Sequence, residues 1–163
     1  MSLPTWSDLN SESIVPPLGA RLAPDIGPAA VMASCTPDVG FLKSQVANPK
    51  VIPFFNDTLI TSADSDKGIC VAGPYMGAPY GVMLLESLIA RGAETIMVVG
   101  WCGAVNGDLA VGDVLLADKA IVDEGTSCNY IELDPDLPCS LPDEELGRRF
   151  LDFWQAEEEI EKS

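Results

Sequence analysis

The sequence predicts an α/β chain organised around a parallel βαβ unit. Three observations carry that expectation. Residues 68–73 (GICVAG) and 95–100 (TIMVVG) are continuous apolar runs of strand length. Between them, residues 80–91 read as an amphipathic helix, with Pro79 at its first position and Gly92 just past its end. Strands apolar on both faces, joined through a helix, belong in a parallel sheet covered on both sides.

The other elements follow in chain order. Residues 1–28 are rich in Pro, Ser and Gly and lack periodicity, so an extended arm is expected. Residues 29–34 (AAVMAS) form a short apolar run bounded by Pro28 and Cys35-Thr36-Pro37, which suits a buried strand. Pro37-Asp38 opens a short helix through Val46, with Phe41, Leu42, Gln45 and Val46 on its expected apolar face. Residues 51–63 are apolar and β-rich but broken by Pro53 and Asn56-Asp57, which predicts a hairpin or two edge strands. Val82, Leu85, Leu88 and Ile89 mark the expected inner face of the central helix. Residues 114–117 and 120–122 are further strand candidates. The chain ends in an amphipathic helix over 141–156, with Ser140 as expected cap and Leu146, Phe150, Phe153 and Trp154 in one stripe. One domain over 1–163 is expected, with an arm at 1–28 and an acidic helix at 140–163.

Composition narrows the chemistry. The 163 residues hold 25 acids against 9 bases, a net charge of −16. Such a surface repels phosphate backbones and anionic membranes, so neither nucleic acid nor membrane is an expected partner. From Glu132 onward there are 11 acids and 3 bases, so half the net charge lies in the last fifth of the chain. There is no histidine, which removes Ser-His-Asp and Cys-His mechanisms and most zinc sites. Cys35, Cys70, Cys102, Cys128 and Cys139 are odd in number and widely spaced, with no C-x-x-C. They read as reduced thiols in a cytoplasmic protein rather than a disulfide framework or metal knuckle. The apolar runs fall far short of the roughly 20 residues of a membrane span, and no signal peptide is evident at the N-terminus.

Two glycine-rich loops stand out. Residues 73–81 (GPYMGAPYG) follow the first central strand and open its helix. Residues 100–104 (GWCGA) follow the next strand. Each puts backbone amides at the carboxyl end of a parallel strand, where ligands collect in open α/β sheets. Two such loops at neighbouring strand ends would form a pocket. Each also has a bland reading: a tight turn for the first, a buried small Cys102 and a core or interface Trp101 for the second. Asp123-Glu124 are acid or base candidates, though such a cluster is more often a self-bonded turn. Glu86 and the 157–161 acids read as solvated helix faces.

Taken together, residues 73–127 resemble the nucleoside phosphorylase and nucleosidase family, which includes purine nucleoside and uridine phosphorylases. The order is specific: M-G-x-P, a helix ending in G-A, a strand into V-G-x-C-G-A, then V-G-D-V. A weaker likeness extends back to about Pro24. The resemblance implies a three-layer α/β/α fold with a mixed, mostly parallel central sheet. It implies cleavage of the N-glycosidic bond of a purine or pyrimidine nucleoside, without a cofactor and with phosphate as co-substrate. Met76 matches the methionine that packs on the ribose, Gly77 lies in the same turn, and Cys102 and Gly103 match the pair beside the base. No catalytic residue and no metal ligand is carried over. The family's phosphate loop, Gly-Asp-Pro-x-Arg, aligns with residues 35–39, so its arginine is Val39. A second phosphate arginine aligns with Val98, and a phosphate-binding hydroxyl with Trp101. The resemblance therefore implies weak phosphate binding, a nucleoside hydrolase or a non-enzymatic binding module as alternatives, a chain lacking the family's C-terminal third, and self-association into a homo-oligomer.

Overall fold

The computed structural model describes residues 26–62 and 68–161. The expected arm at 1–28 lies almost wholly outside the described residues. The described residues divide into two compact units, 26–103 and 104–161.

The first unit is a five-stranded sheet. Its strands are β1 (Ala29–Ala33), β2 (Lys50–Phe54), β3 (Asp57–Thr61), β4 (Ile69–Gly73) and β5 (Thr95–Val99), in the spatial order β2-β3-β4-β1-β5. β1 runs parallel to both β4 and β5, while β3 is antiparallel to β2 and β4. The sheet is thus mixed, as the resemblance implies. The hairpin expected over 51–63 is formed by β2 and β3, turning at Phe55 and Asn56. Pro53, which cannot donate to a ladder, sits on the edge strand β2, and β3 lies inside.

The strands alternate their side chains between two cores. Ala30 and Met32 of β1, Leu59 of β3, and Cys70 and Ala72 of β4 face helix α2 (Ala78–Ile89), which buries Leu84 and Leu88 against them. Ala33, Ile60 and Val71 face the other way, toward helix α1 (Thr36–Gln45) and its Val39. One helix on each face makes three layers.

Both helices differ from expectation in rotation. In α1 the inward residues are Val39, Leu42 and Val46, and Phe41 is 66% exposed. At 100° per residue Phe41 falls opposite Val39. In α2 the inward residues are Tyr80, Leu84, Leu85 and Leu88, so Leu85 and Leu88 face inward as expected while the face is centred on Leu84. Ile89 is exposed and Val82 only half-buried. This helix is apolar on nearly every side, so periodicity alone does not choose its inner face.

The second unit is sparser. Residues 114–117 form no strand. β6 (Ala120–Ile121) pairs with an unanticipated β7 (Cys139–Ser140). Helix α3 (Glu144–Glu161) begins later than expected because Ser140 is taken by β7. Asp143 caps it instead: its carboxylate accepts the Leu146 amide at 2.7 Å, and its carbonyl accepts the Gly147 amide. Phe150 and Trp154 stack with ring centroids 6.0 Å apart.

Candidate functional site

Three strand ends converge in the first unit, at the carboxyl termini of β4, β1 and β5. The Ser34 amide, just past β1, donates to the Val99 carbonyl of β5 at 3.1 Å. Gly100 then passes so close to β1 that a Cβ there would stand 2.7 Å from the Ser34 hydroxyl oxygen. On the other side Gly73 has φ +142°, and a Cβ would stand 2.3 Å from the Ala33 carbonyl oxygen. Glycine alone permits the approach at Gly73, and at Gly100 any side chain would displace the Ser34 hydroxyl. The Thr58 hydroxyl donates to the Gly73 carbonyl at 3.0 Å and ties the hairpin to the same end.

The loop 74–77 leaves Gly73 and opens α2. Gly77, at φ +78°, occupies the N-cap position, with no side chain capping the amides behind it. Met76 is 88% exposed. Cys102 and Gly103 are exposed on the loop after β5, and no atom crowds Gly103. The structure thus puts Met76 and Gly77 on one side of the β1 end, and Cys102 and Gly103 on the other. The expectation that these loops follow neighbouring strands is corrected: β1 lies between β4 and β5. The crevice is therefore two inter-strand spacings wide, roughly 10 Å, with Ser34 and Cys35 at its floor.

The first turn of α1 borders this crevice. Val39 is 7% exposed and packed into the core. Asp38 has one carboxylate oxygen buried with no hydrogen-bond partner among the described residues. A buried acceptor of this kind needs a donor, not a second anion. Trp101 and Val98 are 77% and 59% exposed. A hollow of about 390 Å³ opens on the α1 side of the same strand ends, lined by Thr36, Lys43, Asn56, Asp57, Thr58 and Pro74 among others. Sequence reasoning missed it, because the hairpin that supplies half its wall carries no motif.

The remaining titratable candidates resolve differently. Glu124 is fully tied into its own turn. The Ser127 hydroxyl, the Ser127 amide at 2.9 Å and the Thr126 amide hold its carboxyl down to about 2. It stays ionised and cannot donate a proton near neutral pH. Burial pushes the Cys70 thiol up to about 11, which makes it an inert core residue. Among the described residues no group of three Cys, Asp or Glu could hold a metal ion.

Comparison with known proteins gives the chain a family. The profile of the phosphorylase superfamily matches residues 28–161. A guanosine phosphorylase of Halorubrum lacusprofundi is 37% identical over 75 residues, covering 45% of this chain and 30% of the relative. A uridine phosphorylase of Thermococcus kodakarensis is 35% identical over 66 residues, covering 40% and 24%. An uncharacterized protein of Acanthamoeba polyphaga mimivirus is 30% identical over 71 residues, covering 40% and 29%. The matched stretch spans less than a third of each relative's length.

Proposed function

Because the chain belongs to the phosphorylase superfamily, we propose that it binds a nucleoside across the carboxyl ends of β4, β1 and β5 and cleaves its N-glycosidic bond. The observation that carries this reading is the approach of two glycine-opened loops to the end of β1, Gly73 against Ala33 and Gly100 against Ser34. It exposes backbone amides and an apolar methionine at one crevice, the mixture that suits a sugar joined to a flat base. In this reading Met76 packs on the ribose, Gly77 and the first amides of α2 face its hydroxyls, and Cys102 and Gly103 lie beside the base.

Cleavage needs the ribose held while an oxocarbenium-like carbon forms, a nucleophile beneath it, and a proton for the leaving nitrogen. The nucleophile reading has two versions. Phosphate would be the family's choice, yet Val39, Val98 and Trp101 offer no charged donor, and Asp38 repels a dianion. Those residues favour water. Its oxygen bonds to the anomeric carbon and sheds a proton as the carbon–nitrogen bond breaks, and the base nitrogen keeps the electron pair and takes up a proton. The protein is cytoplasmic in this reading and works without a cofactor. No helix among the described residues is long and apolar enough to cross a membrane. Met83 and Ile89 on the outer face of α2, and Val98 on the edge strand β5, are exposed apolar groups that favour self-association.

Chromatography of guanosine and uridine incubated with the protein, with and without phosphate, tests the reading. Free base appearing slowly, at the same rate in both, is the expected result. A rate that rises with phosphate would establish phosphorolysis. The absence of both base release and nucleoside binding would refute the assignment.

A further inference from the structure

We infer that Trp101 is the aromatic platform of this site, stacking its indole on the planar base of the bound nucleoside. The inference rests on the nucleoside reading above and adds to it a specificity-determining residue. Among the three strand-end loops, Trp101 is the exposed aromatic side chain; Tyr75, on the opposite loop, is packed against the core. An indole normally buries most of its large surface. Here 77% of Trp101 is left uncovered.

Its backbone is nevertheless fixed. The residue before it, Gly100, lies against Ser34, where a Cβ would stand 2.7 Å from the hydroxyl oxygen, and the Ser34 amide bonds to the Val99 carbonyl one residue further back. Trp101 therefore stands on a tethered segment at the edge of the crevice, not on a free loop tip. Met76 is also largely uncovered, at 88%, on the loop after β4, so the loops on the two sides of β1 each carry an exposed apolar group.

The chemistry selects the ligand. An indole has a flat π-face and a single N–H donor, and it carries no positive charge. It cannot neutralise an anion, but it suits a planar heterocycle. Stacking uses the face that every base presents, so it tolerates purines and pyrimidines alike. Trp101 thereby predicts a site with broad base tolerance and little hydrogen-bond selection between bases.

Fluorescence and calorimetry with guanosine and with uridine test this in the intact protein, in Trp101→Ala and in Trp101→Phe. Both nucleosides should quench the indole emission saturably in the parent. Calorimetric affinity should fall about tenfold or more in Trp101→Ala, the worth of one lost base–aromatic stack, and should be largely kept in Trp101→Phe. The quench should disappear in Trp101→Phe, since that variant loses the reporting indole. If the parent binds both nucleosides and Trp101→Ala binds them equally well, the platform is refuted while the nucleoside site stands. A change of oligomer size in Trp101→Ala without loss of affinity would likewise refute it and make the residue an assembly contact. No binding by the parent would refute the underlying reading as well.

Discussion

Residues 26–103 and residues 104–161 come from one chain and follow opposite physics. Among the described residues, every buried apolar one lies between Ile26 and Ala93. From Ala104 to Glu157 not one residue is buried. The charge divides in the same way, with 8 acids and 5 bases over 12–103 against 16 and 4 over 104–163. The first region is held by two-sided burial on a sheet. The second is held by local hydrogen bonds: the Glu124 turn, the Asp143 cap and a two-residue ladder. Burial gives a rigid frame that can fix a ligand site to within tenths of an ångström. Local bonds give turns and caps rather than a two-sided core, so the proposed site is assigned to the first region.

The largest expected effect sharpens this contrast. Leu84→Ala removes a fully buried side chain from the α2 core and should cost about 2–5 kcal/mol in denaturant unfolding. Leu151→Ala, on the exposed face of α3, should move the same transition by less than about 0.5 kcal/mol. Equal costs would break the comparison. Next come the glycines. Gly73→Ala must push the Ala33 carbonyl aside and adopt an unfavourable φ. It should destabilise by roughly 1–3 kcal/mol and weaken nucleoside binding. Gly103→Ala meets nothing within 4 Å and should leave stability unchanged, so any loss of binding there reports ligand contact directly.

The middle of that series bears on what is legible in sequence. β4, α2 and β5 are readable because each carries its own signal: an apolar run, a Pro start, a Gly stop. The insertion of β1 between β4 and β5 is not readable, because strand order is decided by long-range pairing that leaves no local mark. The loops bearing Met76 and Cys102 were found, but their spacing was misjudged for that reason. The inner face of α2 was obscured by an excess of apolar residues, and the α3 cap by a choice between Ser140 and Asp143 that only the β6–β7 pairing decides. Asp38 was legible as a charge but not as a buried, unpartnered oxygen, which depends on how α1 docks.

Smaller effects belong to the second region. Glu124 should titrate near 2, well below its ordinary value of 4.5, when followed by NMR. A depressed folded value means the turn gains from this group above the ordinary value and loses that gain as pH falls through about 2. Glu124→Gln should loosen residues 124–129 locally and leave the unfolding of the sheet untouched. Smallest of all, Arg148→Ala breaks exposed pairs to Glu145 at 2.7 Å and Asp152 at 2.8 Å. It should cost about 0.5 kcal/mol or less, and less still in high salt.

The central claim is that the strand-end crevice of the first region holds a nucleoside, and amide hydrogen exchange with and without guanosine tests it most directly. The account predicts added protection confined to residues 74–78 and 100–103, on both sides of the β1 end, with residues 104–161 unchanged. Protection centred on α3 or on the 120–140 segment, with the two glycine loops unaffected, would contradict it.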